Sequence, residues 1–152
     1  MEIRNKVIVI TGGAGGIGLA IAKTFLTEDP KVIILADIKF DNANLKNKKV
    51  IYKKCNISSE LEVNNLIDEI NHDFGLIDIF CSNAGILILG DEQSSNEDWN
   101  KNWNLHVMAH VFAAKKLIPD MIKRGHGYFV NTSSAAGLLS HIDSVTYSTT
   151  KH

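Results

Sequence analysis

Residues 7–18 read Val-Ile-Val-Ile-Thr-Gly-Gly-Ala-Gly-Gly-Ile-Gly, an apolar run followed directly by a glycine-rich turn. Apolar residues then recur every four positions at Ile17, Ile21 and Phe25, which is the spacing of one helical face. Glycine suits such a turn because it adopts backbone angles that other residues avoid and lets another group approach the backbone closely. The stretch therefore predicts a buried strand, a tight turn and a helix, the first unit of a layered α/β fold.

The same alternation of apolar runs and helical patterns continues along the chain. Five runs rich in β-branched or aromatic residues are expected to be strands buried on both faces: Val7–Ile10, Val32–Ala36, Val50–Tyr52, Ile77–Cys81 and Tyr128–Val130. Strands that alternate with helices indicate βαβ units, so we expect a sheet of parallel strands. The predicted fold class is α/β, a doubly wound parallel sheet, with residues 1–152 forming a single domain.

Helix starts are indicated by a serine followed three residues later by glutamate, the capping-box spacing. Two pairs have this spacing: Ser59 with Glu62, and Ser94 with Glu97. The helix opened by the second pair is predicted to be long, running from about Asp98 toward Lys123. Pro119 is expected to bend or end this helix late, because proline cannot donate the backbone hydrogen bond that a helix interior needs.

Composition excludes several classes of protein. The chain has 152 residues, a formal net charge of −1, 45% hydrophobic and 22% charged residues, all ordinary for a globular domain. Without a basic surplus, neither nucleic acid nor a membrane surface is an expected partner, and no apolar run approaches a membrane span. The first residues lack a signal-peptide layout, and two cysteines, Cys55 and Cys81, make no disulfide framework. We therefore expect a cytoplasmic protein.

The glycine turn has two interpretations. It is either a plain tight turn or a phosphate-binding turn, in which a pyrophosphate approaches a helix N-terminus that no Cβ blocks. Asp37 ends the second predicted strand 19 residues after Gly18. A carboxylate there can accept hydrogen bonds from ribose hydroxyls and repels a 2′-phosphate, although it can also be a solvated strand end. The turn and Asp37 together favour a dinucleotide site.

A second candidate site lies near the end of the chain. Tyr147 and Lys151 are four residues apart, which places a phenol and an ammonium on one face of a helix. A phenol ordinarily ionises at too high a pH to act as a base near neutrality, and an adjacent ammonium favours the phenolate form. Ser134 lies 13 residues before Tyr147, just after the fifth predicted strand, where its hydroxyl can hold a substrate oxygen. Each residue alone is commonplace on a protein surface.

Several motifs in this order resemble the short-chain dehydrogenase/reductase family in its compact single-domain branch. They are TGGAGGIG at 11–18, SNAG at 82–85, NTSSAAG at 131–137 and YSTTK at 147–151. The resemblance runs from Lys6 to Lys151. It implies a Rossmann fold with its strands in the spatial order 3-2-1-4-5. It also implies nicotinamide-dependent oxidation of an alcohol or reduction of a carbonyl, with a small-molecule alcohol or ketone as the substrate.

The resemblance also implies roles for individual residues. Ser134 orients the substrate, Tyr147 is the acid/base, and Lys151 binds the nicotinamide ribose and favours the ionised tyrosine. The other residues that it assigns to cofactor binding are Gly12, Gly16, Ile17, Gly18, Asp37, Asn56, Ile57, Asn83, Ala84 and Gly85. Because the glycine motif carries no basic residue and Ile38 follows Asp37, NAD is the expected cofactor and NADP is the less favoured one.

Two positions depart from the family pattern. Asn56 stands where the family usually has an aspartate facing the adenine, and its amide oxygen can still accept from the adenine amino group. His106 stands seven residues after Trp99, where the family carries a fourth catalytic residue, an asparagine. A neutral imidazole can take over the proton-relay role of that residue, displace its water, or matter little. If His106 acts in the proton relay, the His106→Asn substitution is expected to move a pH–rate inflection near pH 6–7.

Several further expectations concern metal, partners and the extent of the chain. His106 and His110 are four apart, but Val107 occupies the position of the HExxH glutamate, so no metal is predicted. Trp99 and Trp103 share a helical face and are expected to pack in the core or between helices, or, as the resemblance implies, at the interface of an oligomer. The resemblance implies a homodimer or homotetramer, and two further strands beyond residue 152. Without them, the 152-residue chain is expected to be poorly soluble or inactive, unlike a longer natural form.

The leading hypothesis is an NAD-dependent oxidoreductase acting on a secondary alcohol or the matching ketone. An apolar substrate is expected because apolar residues follow the fourth and fifth strands: Leu87, Leu89, Leu138, Leu139 and Ile142. The alternative is a dinucleotide-binding fragment or pseudoenzyme of the same fold, which His106 favours. Intact Ser134, Tyr147 and Lys151 favour the enzyme.

Overall fold

A computed structural model describes residues 2–41, 43–139 and 141–152. Five strands form one parallel sheet in the order β3-β2-β1-β4-β5, as predicted. The strands are β1 (Val7–Thr11), β2 (Val32–Asp37), β3 (Val50–Lys54), β4 (Ile79–Ser82) and β5 (Tyr128–Asn131). The fourth strand begins two residues later than predicted, because the Ile77 N–H donates to the Asn71 side chain instead of a neighbouring strand. The sheet is therefore the doubly wound Rossmann arrangement.

Helices cover both faces of the sheet. They are α1 (Gly16–Leu26), α2 (Glu60–Phe74), α3 (Asn96–Trp103), α4 (Ala109–Arg124) and α5 (Val145–Lys151). Side chains alternate between the two faces of the central strands, as the period of a strand requires. Ile8 and Ile10 pack on the side of α1, whereas Val9 packs on the side of α2 and α4, and all three are fully buried. The strands that lead to the carboxyl edge of the sheet are therefore packed against apolar side chains on both faces.

The long helix after β4 differs from its prediction in two ways. Ser95 caps it by accepting from the Asp98 N–H at 3.1 Å, whereas the Ser94 hydroxyl donates to the preceding turn at Asp91 O. The predicted Ser94 cap is therefore wrong by one residue. A π-helical turn over Asn104–Met108 separates α3 from α4, where one continuous helix was expected. Such turns occur mostly inside longer helices and at functional sites.

Pro119 does not end the helix, because α4 continues to Arg124. The residue lies on the exposed side, where water can satisfy the carbonyl that proline leaves without a donor. The cap at Ser59 is confirmed, since its side chain accepts from the Glu62 N–H. Trp103 is 49% exposed, so the expectation that it packs in the core is wrong. Among the described helices, none is long and apolar enough to cross a membrane.

Candidate functional site

A cleft of about 1400 Å³ opens at the carboxyl ends of the strands. Twelve of the residues that the sequence analysis assigned to a site line it: Gly12, Gly16, Ile17, Asp37, Asn56, Ile57, Asn83, Ala84, Gly85, Ser134, Tyr147 and Lys151. Ile17 is 62% exposed and so does not belong to the buried stripe of α1 predicted from its spacing. Gly18 and His106 are the two assigned residues that do not line the cleft, and both lie behind its wall.

The glycine turn is shaped by close backbone contacts. A Cβ at Gly12 would lie 2.8 Å from the Ala84 Cα, and Gly12 has a φ of +64° that favours glycine. A Cβ at Gly18 would collide with the Gly12 carbonyl oxygen and lie 2.9 Å from the Asn83 side chain. Gly15 and Gly16 instead have no protein atom within 4 Å of that position. The turn is closed against the protein on one side and open toward the cleft on the other.

Two polar side chains hold the strand ends in place around the turn. Thr11 Oγ1 accepts from the backbone N–H groups of Asn83 and Ala84, at 2.9 and 3.1 Å. The Asn83 amide donates to Thr11 O at 3.0 Å and accepts from the Thr132 hydroxyl at 3.0 Å. These contacts join the ends of β1, β4 and β5, so the glycine turn and the residues after β5 are fixed relative to each other.

Asp37 ends β2 at the rim of the cleft. One carboxylate oxygen accepts from the Ala14 N–H of the glycine turn at 3.0 Å, and the other accepts from the Ile38 N–H at 2.8 Å. Each carboxylate oxygen retains a further lone pair for another donor. The carboxylate therefore supports the turn and also presents negative charge to the cleft.

Ser134, Tyr147 and Lys151 meet at the other end of the cleft. Ser134 caps a short 3₁₀ turn, Ala135–Gly137, by accepting from the Ala136 N–H at 3.2 Å. The Lys151 ammonium lies 5.9 Å from the centre of the Tyr147 ring and donates to Thr132 O at 3.3 Å. Burial lowers the pKa of Lys151. The tertiary fold thus brings together the three groups that the sequence placed on two separate segments.

His106 is buried behind Gly85 and does not line the cleft. Its Nε2 accepts from the Ile86 N–H at 3.1 Å, and its Nδ1 lies 2.9 Å from the Thr150 hydroxyl oxygen. Burial, followed by the nearby charges of Lys151 and His110, lowers the pKa of His106 to about 4. This pKa lies below the range of pH 6–7 in which His106 was expected to contribute a pH–rate inflection, and the inflection itself stays a prediction for kinetic measurement.

Some lining residues were missed by the sequence analysis. Polar residues of α3 and the adjoining turn line the cleft at the helical spacing i, i+3, i+4, i+7: Glu97, Asn100, Lys101 and Asn104. That stripe was visible in the sequence. A smaller cavity of about 340 Å³ adjoins Ser134 and Tyr147 and is also lined by His141. Nothing in the sequence singled out His141 among six histidines.

The apolar wall is smaller than predicted. Leu87 and Leu139 line the cavity beside Ser134 and Tyr147. Leu138 and Ile142 are 89% and 82% exposed. In the described part of the chain, neither of them lines either cavity, and Leu89 does not line one either. Within the described ranges, no group of three histidine, cysteine or acidic side chains is arranged to hold a metal ion.

The fold and the cleft define a dinucleotide-binding α/β protein with a serine, tyrosine and lysine at the carboxyl edge of its sheet. The sequence matches the short chain dehydrogenase family over residues 6–152, and the chain belongs to that family. This finding confirms the resemblance that the motifs carried.

Individual relatives agree with this assignment. The chain is 31% identical to a meso-2,3-butanediol dehydrogenase from Serratia marcescens, over 91% of this chain and 57% of the relative. It is 31% identical to a 2,5-dichloro-2,5-cyclohexadiene-1,4-diol dehydrogenase from Sphingobium indicum, over 99% of this chain and 63% of the relative. A crystal structure of a short chain dehydrogenase/reductase from Burkholderia phymatum in complex with NAD superimposes with a TM-score of 0.91 at 29% identity, covering 100% of this chain and 57% of that one. The chain therefore spans less than two thirds of the length of each.

Proposed function

We propose that this protein is an NAD-dependent oxidoreductase that interconverts a secondary alcohol and the matching ketone. The observation that carries the proposal is the convergence of Ser134, Tyr147 and Lys151 in the same cleft as the glycine turn and Asp37. Chance placement of any one of these groups is ordinary. Their meeting at the carboxyl edge of a doubly wound sheet, where such folds bind ligands, supports a catalytic site.

The cleft fits a dinucleotide. The open side of Gly15 and Gly16 leaves space for a pyrophosphate next to the first amides of α1, and a Cβ at either residue would occupy that space. Asp37, Asn56 and Lys151 line the same cleft. We assign Asp37 and Asn56 to the ribose and base of the adenosine half and Lys151 to the nicotinamide ribose. When bound, NAD supplies the hydride acceptor for the alcohol carbon.

The residues of the chain supply positioning and proton transfer. Because Ser134 Oγ accepts from the Ala136 N–H, its own proton remains available to donate to a substrate oxygen. Tyr147 Oη takes the hydroxyl proton when the alcohol is oxidised and returns it when the ketone is reduced. Only one of the three Lys151 N–H groups is used by Thr132 O, which leaves two for a ribose and the tyrosine oxygen.

The preference for NAD over NADP rests on Asp37. A carboxylate at the end of β2 repels the 2′-phosphate of NADP, whereas it accepts hydrogen bonds from the free ribose hydroxyls of NAD. Ile38 beside it offers no positive charge for a phosphate. Both features favour NAD.

The cavity beside Ser134 and Tyr147 favours a small substrate with a second polar group. Leu87 and Leu139 give it an apolar wall. His141 Nδ1 lies 2.9 Å from Ile142 O and 2.8 Å from Ser144 Oγ. The carbonyl oxygen only accepts and the Ser144 hydroxyl donates to His141 O, so Nδ1 carries the proton and Nε2 is the acceptor. A second hydroxyl on the substrate can donate to that nitrogen. Two relatives are named as diol dehydrogenases, which agrees with this substrate class.

We also propose that the complete protein is a cytoplasmic homo-oligomer. Val111, Ile118 and Ile122 on α4 are 39%, 41% and 74% exposed and lie seven and four residues apart, so they form one apolar helical face. Trp103 adds an exposed aromatic side chain to the same segment. Light scattering of the complete protein tests this assignment, and a monomer at micromolar concentration would contradict it.

The test of the activity uses the full-length natural protein and the absorbance of the reduced nicotinamide. We expect turnover with at least one secondary alcohol or diol in a panel that includes monoalcohols, vicinal diols and cyclic diols. Tyr147→Phe is expected to lower kcat by about a thousandfold or more while NAD still binds, because the proton transfer is lost and the glycine turn is untouched. NAD binding without turnover by the unaltered protein would instead establish the non-catalytic dinucleotide-binding alternative.

A further inference from the structure

Two buried hydrogen bonds connect the segment of α3 and the π turn to helix α5. Asn102 Nδ2 donates to Thr146 Oγ1 at 3.0 Å, and His106 Nδ1 lies 2.9 Å from Thr150 Oγ1. The spacing is four residues on both segments, so the bonds form successive rungs between the two helical segments. All four residues are buried.

The proton positions in the second rung follow from the neighbouring groups. Thr150 Oγ1 lies 2.8 Å from Thr146 O and 3.1 Å from Tyr147 O, and carbonyl oxygens only accept, so the hydroxyl proton is directed at them. Thr150 Oγ1 therefore accepts from His106, whose Nδ1 carries a proton. Since Nε2 accepts from the Ile86 N–H, the ring is neutral and both nitrogens are used. Neither nitrogen is left to relay a proton.

The two threonines directly precede the reactive residues of α5. Thr146 lies one residue before Tyr147, and Thr150 lies one residue before Lys151. Successive residues on a helix are rotated by about 100°, so a bond that fixes the threonine face also fixes the face that carries the phenol and the ammonium. The helix has seven residues and no side-chain cap at its start, so its rotation depends on tertiary contacts.

We propose that Asn102 and His106 are positioning residues that set the rotation of α5 and so the presentation of Tyr147 and Lys151 to the cleft. The proposal rests on the proposed function, because it assigns the effect to residues of that catalytic site. His106 has a wider role than Asn102, since it also binds the loop after β4 through Ile86. The His106 and Tyr147 rings pack in a T-shaped arrangement, with a centroid distance of 5.3 Å and an interplanar angle of 88°, so the imidazole also contacts the phenol ring.

The test replaces Thr150 in the full-length protein and leaves both histidine nitrogens intact. Thr150→Val removes the acceptor but keeps the branched shape, and Thr150→Ser keeps the acceptor. Thr149→Val is the matched control, because Thr149 is an exposed neighbour on the same helix. Thr146→Val removes the other rung and is expected to act in the same direction as Thr150→Val.

We expect Thr150→Val to lower kcat about tenfold, the factor that one buried hydrogen bond of ordinary strength carries. The KM for the alcohol is expected to change less than twofold, because the cavity wall is untouched. Thr150→Ser is expected to restore kcat, and Thr149→Val is expected to match the unaltered protein. A Thr150→Val variant with a lower Tm but an unchanged kcat would overturn the proposal, since the bond would then be merely structural.

Amide hydrogen exchange provides a second measurement that does not need turnover. We expect Thr150→Val to speed amide exchange in α5 and to leave amide exchange in β1 unchanged, because only α5 loses a hydrogen bond to a neighbouring helical segment. Unchanged exchange in α5 would overturn the proposal even if kcat fell. If the unaltered protein shows no turnover, the proposed function fails, and the exchange of α5 still decides whether the rungs hold the helix.

Discussion

The glycine turn is packed against backbone atoms, whereas helix α5, anchored at its first residue by the Val145 N–H to Gly90 O, is joined to its neighbours further along by side-chain hydrogen bonds. On the glycine-turn side, Gly12 and Gly18 touch main-chain atoms of neighbouring segments, and the adjoining strands β1 and β2 are almost completely buried. On the α5 side, two side-chain hydrogen bonds from Asn102 and His106 join helical segments that lie beside the sheet. Backbone packing tolerates almost no added atom, while side-chain bonds depend on protonation and on single substitutions.

The largest expected effect is on the glycine-turn side. Gly18→Ala places a Cβ against the Gly12 carbonyl oxygen, which cannot move without distorting the turn. We expect the free energy of unfolding to fall by about 3 kcal/mol or more and NAD binding to be lost. Gly15→Ala is the matched control for stability but not for NAD binding, because no protein atom lies within 4 Å of its Cβ position and its φ is −163°.

Thermal or chemical unfolding measures the difference between these two variants. The control is expected to stay within about 0.5 kcal/mol of the unaltered protein. Equal stability of the Gly18→Ala and Gly15→Ala variants would contradict the view that close backbone contacts shape the turn.

The next effect is an acid sensitivity on the α5 side. The pKa of His106 is lowered to about 4 from 6.5. Between these values the unfolded chain binds more protons than the folded chain, so stability decreases as the pH falls from about 6.5 toward 4. The full loss for this group is roughly 3 kcal/mol. Lys151 and Tyr147 face the ring from α5, and His110 faces it from α4.

Because the pKa of His110 is also lowered by burial, the contribution of His106 must be isolated by substitution. We expect His106→Asn to reduce the slope of unfolding free energy against pH between about 4 and 6.5. Thr149→Val changes an exposed residue without adding or removing a titratable group and is expected to leave the slope unaltered. If the His106→Asn variant and the unaltered protein had the same slope, the conclusion that the imidazole of folded His106 is buried and neutral would be contradicted.

A smaller effect is expected from the charge of Asp37. Asp37→Ser with Ile38→Arg removes the repulsion of a 2′-phosphate and adds a cation, so preference should move from NAD toward NADP. The lost ribose hydrogen bonds correspond to about 1.5–3 kcal/mol. Asp37→Asn is the control that removes the charge while keeping an acceptor for the Ala14 N–H. Equal binding of NAD and NADP by the unaltered protein would show that Asp37 does not face the ribose.

The smallest expected effect concerns the substrate cavity. His141→Leu removes the Nε2 acceptor and keeps an apolar wall beside Leu139. We expect the KM for a diol to rise about fivefold and the KM for the matching monoalcohol to stay within twofold, because only the diol loses a hydrogen bond. Equal changes for both substrates would assign His141 to the shape of the loop instead of to recognition.

Much of the glycine-turn side was predictable from the sequence. The strand Val7–Thr11, the turn and the position of Asp37 follow from local patterns, because buried parallel strands are continuous apolar runs and tight turns select glycine. The pairing of Ser134 with Tyr147 and Lys151 required the family motifs. The cap was misplaced by one residue because Ser94 and Ser95 are equally good caps, and the choice depends on which one the preceding turn uses.

The sequence by itself determined the alternation of strands and helices and the glycine turn, and its family motifs added the strand order and the residue types that meet at the edge of the sheet. Only the tertiary structure decided the roles of His106 and His141. An imidazole can donate, accept, bind a metal or pack, and its role depends on which atoms surround each nitrogen. For His106 those atoms come from Ile86 and Thr150, 20 and 44 residues away along the chain. No local pattern records such contacts, because they arise only when the helices pack.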